Sequence, residues 1–292
     1  YPGGSTKFEK RDIAENVPCW NKDNCIQCNQ CAFVCPHAVI RPYLLDKDDK
    51  YENALPSMFP KDKKYAIGIS YKDCTGCGLC ANICPGKVGN KALSMEKYDK
   101  GKYTNNDFEY LNEHRVSFDN AILNVKNIGF KDPKFEYSGA CAGCGETAYI
   151  KNLTQVFNDN LFIANATGCS SIWGGPAATS PYTVNKDTLK GPAWANSLFE
   201  DNAEHGFGMY LGQKVLRDQA IAKIEEMAAS DKATDSFKAA AAKYLETKND
   251  TKANTPATEA LIAELEKAAA DGCPTAPEVL AKKDYLAKKS VW

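Results

Sequence analysis

The sequence has no long hydrophobic run. None of its apolar stretches approaches the ~20 residues that a transmembrane helix needs, and the first residues, YPGGSTKFEKRD, lack the apolar core of a signal peptide. The chain also lacks an initiator Met. We therefore expect a cytoplasmic protein that makes no membrane contact, and a chain that starts inside a longer polypeptide.

An excess of charge of either sign is also missing. The 292 residues include 36 Lys and Arg against 37 Asp and Glu, which leaves a formal net charge of −1. Nothing global favours nucleic acid or an anionic lipid surface, so we expect partners to be recognised locally. The length is enough for two domains, each with its own core.

Cysteine, by contrast, is abundant. Thirteen cysteines are present, an odd number for a disulfide framework, and ten of them fall into three tight groups of four, four and two. In a reducing compartment, such grouping is typical of metal ligands. We therefore interpret these thiols as ligands.

Two of the groups have the same spacing, C-x2-C-x2-C-x3-C followed by Pro. Their members are Cys25, Cys28, Cys31 and Cys35 in the first run, and Cys74, Cys77, Cys80 and Cys84 in the second. This is the ferredoxin pattern for two 4Fe-4S clusters, in which three close cysteines bind one cluster and the fourth binds the other. The rule pairs the first three of each run with the last of the other, so we expect Cys84 to join the first site and Cys35 to join the second.

The alternative for these runs is structural zinc. Zinc sites usually combine two separated pairs and have no use for a third cysteine two residues further on, so the spacing favours iron. Short apolar stretches flank the runs, AVIRPYLL after the first, YAIGIS before the second and ALSM after it. They predict short strands around the cluster loops, whereas the polar segment between the runs, residues 44–65, predicts a surface excursion.

A further group of cysteines follows residue 126. Cys141 and Cys144 lie in the glycine-rich stretch YSGACAGCGETAY, and Cys169 follows a buried-strand pattern in LFIANATGCSSIWGG. Three cysteines form an incomplete cluster site, whose fourth ligand would be Cys19, Cys273 or a residue outside this sequence. A zinc or redox-active CxxC pair with a separately buried Cys169 is the open alternative.

Several long motifs in one order give the chain a resemblance. NCIQCNQCAFVCPHAVIRP, DCTGCGLCANICP, GACAGCGET, NATGCSSIWGG and GPAWANSLFEDNAEHGFGM together resemble the pyruvate:ferredoxin (flavodoxin) oxidoreductases. The resemblance implies an α+β chain with a two-cluster ferredoxin-type domain at residues 1–120. It also implies, at residues 121–292, a partial α/β domain that binds thiamine diphosphate and has a helical C-terminal section.

The family implies roles for the third group. Cys141, Cys144 and Cys169 would hold a third 4Fe-4S cluster whose last ligand lies beyond Trp292, and Glu146 and Cys169 would lie against thiamine diphosphate. The family's G-D-G motif with a distal Asn, which holds the magnesium diphosphate, is absent from this sequence. The isolated chain is therefore expected to carry two complete sites and to be inactive in decarboxylation.

The activity that the resemblance implies is the oxidative decarboxylation of pyruvate with coenzyme A to acetyl-CoA and carbon dioxide. Electrons would pass through three clusters to ferredoxin or flavodoxin, and the full enzyme would be a homo-oligomer. Two alternatives stay open, a free-standing ferredoxin-like electron carrier and a related 2-oxoacid oxidoreductase.

The last eighty or so residues are rich in Ala, Lys and Glu with helical periodicity. They predict a set of packing helices without chemistry of their own. Thr255 is expected to cap the last long helix, with Pro256 in its first turn.

Overall fold

The computed structural model describes residues 3–118, 124–185 and 189–292. By their internal contacts these residues form two compact units. The cysteine-rich unit comprises Tyr1–Asp159 and Gly168–Pro192, and the helical unit comprises Asn160–Thr167 and Ala193–Trp292. The chain is α+β, as predicted, while the predicted domain boundary between residues 120 and 121 lies outside the described residues.

The cysteine-rich unit contains two small antiparallel sheets. One pairs β1 with β5, and the other has the order β2-β4-β3. Their bounds are β1 Asn16–Trp20, β2 Ile40–Asp46, β3 Leu55–Pro56, β4 Lys63–Ile69 and β5 Leu93–Lys97. The three strands predicted around the cysteine runs are thus confirmed as β2, β4 and β5.

Strand β1 was not predicted, because Pro18 interrupts its sequence. Proline cannot donate to a ladder and is confined to sheet edges. In a two-stranded sheet both strands are edges, so Pro18 can pair with Met95 of β5 without breaking a second ladder.

Each cysteine run leads into a helix of five residues, and the other helices of the unit follow the second run. Their bounds are α1 Gln30–Val34, α2 Leu79–Ile83, α3 Asn106–His114, α4 Val125–Ile128, α5 Gly145–Phe157 and α6 Cys169–Gly174. Helix α1 contains Cys31 and α2 contains Cys80. The core of the unit includes the fully buried side chains of Val17, Ile40 and Tyr65, and the cysteine loops pack against it.

The predicted surface excursion between the runs is only partly solvated. It contains β3, which pairs with β4, and Ser57 within it is buried. Two hydrogen bonds join it to Gln27 in the first cysteine loop. The Gln27 side chain donates to the Pro56 carbonyl and accepts from the Met58 N–H, both at 2.8 Å. The segment therefore supports a cysteine loop.

The helical unit has a parallel three-stranded sheet with the order β7-β6-β8. Its elements are β6 Leu161–Ala166, β7 Ala193–Ser197, α7 Asn202–Ala229, α8 Asp235–Thr247, α9 Thr251–Ala270, α10 Ala276–Leu280, α11 Lys283–Leu286 and β8 Ser290–Val291. The predicted helices are confirmed, and they share a buried core that includes Ile224, Tyr244 and Leu261. Across the described ranges, every helix is too short or too polar to cross a membrane.

The predicted cap of α9 is wrong. The helix begins one turn earlier than expected, because the Asp250 carboxylate accepts hydrogen bonds from the N–H groups of Lys252 and Ala253. Thr255 instead lies inside the helix and donates its hydroxyl to the Thr251 carbonyl. Pro256 is tolerated in the second turn, where its missing N–H removes a single intrahelical hydrogen bond.

The loop that ends the second cysteine run is tight and testable. It is closed by a bridge between Lys87 and Asn90, and a Cβ at Gly86 would lie 1.8 Å from the Asn90 carbonyl oxygen. Gly89 is the matched control, because its φ is also positive, at 82° against 61° for Gly86, but its Cβ would meet nothing within 4 Å.

We expect Gly89→Ala to cost about 1–2 kcal/mol, the usual penalty of a left-handed non-glycine residue. Gly86→Ala should cost clearly more, because the steric overlap adds to the backbone penalty. Thermal unfolding followed by circular dichroism measures both. Equal losses would show that the loop shifts to relieve the overlap.

Candidate metal centres

The first cavity lies where the first cysteine run meets the end of the second. It is lined by four cysteines, Cys25, Cys28, Cys31 and Cys84. The remaining lining residues are mostly apolar and come from the strands and from the loop after Cys84, namely Trp20, Ile26, Asn29, Tyr65, Ile67, Pro85, Gly86, Ala92 and Leu93. Three thiols from one run and one thiol from the other thus line one pocket.

The second cavity mirrors the first. It is also lined by four cysteines, Cys74, Cys77, Cys80 and Cys35. Its other lining residues are Pro18, His37, Val39, Ile40, Thr75, Gly78, Leu79 and Met95. The structure therefore groups the eight cysteines as the crossed pairing predicts, although their role as ligands stays a prediction.

The electrostatics of the thiols reflect the same grouping. Burial raises the pKa of Cys25, and its neighbours Cys28 and Cys84 raise it further. Burial likewise raises the pKa of Cys74 to about 12, with further contributions from Cys35 and Cys77. Such thiols keep their protons unless a cation replaces them, so metal binding would release protons.

Both cavities also depend on left-handed backbone at equivalent positions of the two runs. Gly76 and Gly78 have φ of 69° and 75°, and the matching residues of the first run, Gln27 and Asn29, have φ of 55° and 60°. Asn29 is held there by its side chain, which donates to the Lys126 carbonyl at 2.6 Å and accepts from the Tyr65 hydroxyl at 2.7 Å. Hydrogen bonds thus stabilise in the first run a turn that glycine allows in the second.

The first cavity also contains an unused donor. The buried indole N–H of Trp20 lies beside Cys25 and partly offsets the rise that burial causes in the pKa of that thiol, and it has no other acceptor among the described residues. An N–H group aimed at thiolate or sulfide is typical of the hydrogen bonds that tune iron–sulfur clusters. The four thiols, apolar walls and free donor fit a 4Fe-4S cluster. No three His, Cys, Asp or Glu side chains within the described residues converge as ligands of a single metal ion.

The third group of cysteines has a different environment. Cys141 and Cys169 are exposed and Cys144 is half-buried. The Cys141–Cys144 loop is closed by a hydrogen bond from the Cys144 N–H to the Cys141 carbonyl, 3.1 Å, and α5 starts directly after it. Two of the three predicted ligands, Cys141 and Cys169, are thus at the surface of the unit, and Cys169 is the first residue of α6. Glu146, in the first turn of α5, is also exposed.

The Cys141–Cys144 loop packs against the second cavity. A Cβ placed at Gly143 would lie 3.6 Å from the Cβ of Cys77. His37, which lines that cavity, is buried, and its two ring nitrogens lie 3.2 Å from the Ser138 carbonyl and 3.3 Å from the Cys141 carbonyl. The Cys141–Cys144 loop is therefore a neighbour of the second cavity.

The two spare cysteines lie in other surroundings. Cys19 is on β1, where burial and the adjacent Glu96 raise the pKa of its thiol. Cys273 follows α9 and packs on the core of the helical unit. Neither lines the two four-cysteine cavities.

Comparisons with known proteins agree with this geometry. The family profile described as a 4Fe-4S dicluster domain matches residues 24–88, the stretch that contains both runs. The pyruvate:ferredoxin oxidoreductase of Moorella thermoacetica is 46% identical over 100% of this chain, and the pyruvate-flavodoxin oxidoreductase of Klebsiella pneumoniae is 41% identical over 100%. Over its whole length, the chain is homologous to a segment of the pyruvate:ferredoxin (flavodoxin) oxidoreductases.

The predicted resemblance is thereby confirmed, as is the expectation of 4Fe-4S clusters in the stretch that contains the two runs, whereas the third cluster stays a prediction. The chain spans about a quarter of the length of these relatives, 26% and 25% respectively. The pyruvate dehydrogenase [NADP(+)] of Cryptosporidium parvum is also similar, 46% identical over 75% of this chain and 12% of its own length. The family segment thus occurs in relatives whose names give different electron acceptors.

The crossed grouping can be tested by substitution. Cys28→Ala and Cys84→Ala should abolish the same cluster signal in electron paramagnetic resonance, because both thiols line the first cavity. Cys77→Ala and Cys35→Ala should abolish the other signal. If Cys28→Ala and Cys35→Ala lost one signal while Cys77→Ala and Cys84→Ala lost the other, each run would bind its own cluster and the crossed grouping would be wrong.

Alkylation tests which thiols are ligands. In the metal-free chain at pH 8, exposed Cys77 should react fast, and Cys74 should react slowly until the pH approaches its raised pKa of about 12, because only the thiolate is the nucleophile. Iron loading should then protect Cys77 while Cys19 and Cys273 react as before. Mass spectrometry of the digested chain reads each site, and unprotected Cys77 would contradict its assignment as a ligand.

Proposed function

We propose that this chain is the electron-transferring segment of an enzyme that oxidatively decarboxylates pyruvate with coenzyme A. The reaction would give acetyl-CoA, carbon dioxide and two electrons, passed to ferredoxin or flavodoxin. The observation that carries the proposal is the pair of cavities lined by four cysteines each, with the Cys141–Cys144 loop packed beside the second. Homology over the whole chain supports it.

The residues that would hold the two clusters are the eight cysteines of the cavities. When bound, 4Fe-4S clusters supply one-electron chemistry at low potential. The chain's own part is to exclude water with the apolar walls and to donate hydrogen bonds, from Trp20 in the first cavity, that set the potential.

The order of the sites follows from their contacts. The Cys141–Cys144 loop touches the second cavity through Gly143 and His37. The two cavities adjoin at α1 and α2. Burial raises the pKa of Cys31 in the first cavity, and the nearby Cys80, which lines the second cavity, raises that pKa further. We infer a path from the third group to the second cavity and then to the first, which makes the first cavity the exit to the acceptor.

The site for thiamine diphosphate is only partly represented. Glu146 and Cys169 are exposed and so able to contact such a cofactor. Its magnesium diphosphate needs oxygen ligands at a dedicated motif, and the family's G-D-G motif with a distal Asn is absent from the sequence. We therefore assign Glu146 and Cys169 as contacts of the cofactor and assign its anchoring to another part of the enzyme.

The isolated chain separates this proposal from its alternatives. We expect brown protein with ~8 firmly bound iron atoms, the content of two four-iron clusters, and no pyruvate-dependent dye reduction. The third site should be empty or labile because only three cysteines, Cys141, Cys144 and Cys169, are assigned to it. Iron analysis and a dye-reduction assay with pyruvate measure both.

Each outcome of that test is distinct. Colourless protein with bound zinc would overturn the cluster assignment, and turnover of pyruvate would show that the catalytic site lies within this chain. To test the substrate, the complete enzyme is assayed with pyruvate and with 2-oxoglutarate. Preference for the second would favour a related 2-oxoacid oxidoreductase, whereas activity with neither would favour a free-standing electron carrier.

A further inference from the structure

A buried lysine from α5 reaches the end of α1. Lys151 is only 2% exposed, and its ammonium group donates to three backbone carbonyls, those of Ala32, of Phe33 at 2.9 Å and of Cys35 at 3.1 Å. These carbonyls lie at the C-terminal end of α1, whose last C=O groups have no intrahelical partner. A cation is the favoured partner at that end of a helix.

The charge of Lys151 has no counter-ion among the described residues. Arg41, another buried cation of the same unit, forms an ion pair with Glu136 and hydrogen-bonds the Tyr137 hydroxyl. Lys151 has only carbonyl oxygens, with no carboxylate within ion-pair distance in the described ranges. A buried cation without an anion is costly, so an anion close to Lys151 would be strongly stabilising.

The two candidate cluster sites supply that anion. Helix α1 contains Cys31, a lining residue of the first cavity, and it ends at Cys35, which lines the second. Lys151 bonds to the stretch that joins them, so its charge lies beside both sites. A 4Fe-4S cluster with four thiolates carries net negative charge, because the thiolates outweigh the charge of the iron–sulfur core.

We propose that Lys151 is a positioning residue whose positive charge stabilises both clusters and raises their reduction potentials. This inference rests on the proposed function, since it requires clusters in the two cavities. Reduction adds an electron to a site that is already negative, and in a poorly solvated interior a nearby cation favours that step. The effect should be larger for the second cavity, because Lys151 bonds to the carbonyl of one of its own cysteines, Cys35.

Lys151 also belongs to the helix that starts immediately after Cys144. Its neighbour Asn152 donates to the Phe33 carbonyl at 3.2 Å, a neutral hydrogen bond to the same end of α1. The charge and the attachment of α5 to α1 can therefore be separated by substitution. Asn152→Ala removes part of the attachment and keeps the charge.

The test is a redox titration of the cluster-loaded chain, followed by electron paramagnetic resonance. Lys151→Gln and Lys151→Met remove the charge, and we expect both potentials to become more negative, with the larger shift at the second cavity. Lys151→Arg keeps the charge, so both of its reduction potentials should stay near those of the unmodified chain. Asn152→Ala, and Lys134→Met at another buried lysine of the unit, should leave both potentials in place.

Unchanged potentials in Lys151→Gln, with both cluster signals present, would overturn the inference, and so would a shift in Lys151→Arg as large as that in Lys151→Gln. If the neutral variants lose iron, the iron content per chain decides. Iron kept in Lys151→Arg alone supports the charge, whereas equal loss in all three variants shows a steric role. Absence of cluster signals from the unmodified chain would contradict the proposed function itself.

Discussion

The register of the strands is the constraint on which both cavities depend. In the pairing of β2 with β4, Ile40 lies opposite Ile69, and the ladder continues with a hydrogen bond from the Ser70 N–H to the Val39 carbonyl at 2.8 Å. Cys35 comes shortly before this pair and Cys74 shortly after it, so an antiparallel sheet in this register brings the end of the first run to the start of the second. A slip by one residue would turn every side chain of the strand to the other face and remove the walls of the second cavity.

Pairing of β1 with β5 does the same for the first cavity. Trp20 lies opposite Leu93, and both line the space around Cys25 and Cys84. Both sheets contribute to each site, since Tyr65 and Ile67 of β4 also line the first cavity and Pro18 and Met95 also line the second, and each site takes one of its four cysteines from the other run. Because of this exchange, the two sites cannot be assembled independently. The segment that contains β3 contributes by holding Gln27 of the first cysteine loop through two hydrogen bonds.

The sequence predicts what depends on spacing and misses what depends on tertiary contact. The spacing of four cysteines within each run predicts the crossed grouping, because three close cysteines can bind one cluster and the fourth then binds the other. The left-handed turns at Gln27 and Asn29 carry no glycine signal, since hydrogen bonds from distant segments hold them. The donor of Trp20 and the ammonium of Lys151 are likewise invisible in the sequence, because each acts on a cysteine run through the fold. The cap of α9 was misplaced because Thr255 and Asp250 are both acceptable caps and only packing selects between them.

The two kinds of cysteine site support different parts of the functional assignment. A pair of enclosed four-thiol cavities is an electron-transfer device that many reactions can use, so by itself it identifies no substrate. In the proposed function, the predicted third site narrows the choice of enzyme, because Cys141 and Cys169 are exposed and the Cys141–Cys144 loop packs beside the second cavity. The Cys141–Cys144 loop is tied to the second cavity by the buried His37, and α5, which follows that loop, is tied to α1 by Lys151. In the proposed function, these contacts give electrons that arrive at the Cys141–Cys144 loop a neighbouring site to which they can pass.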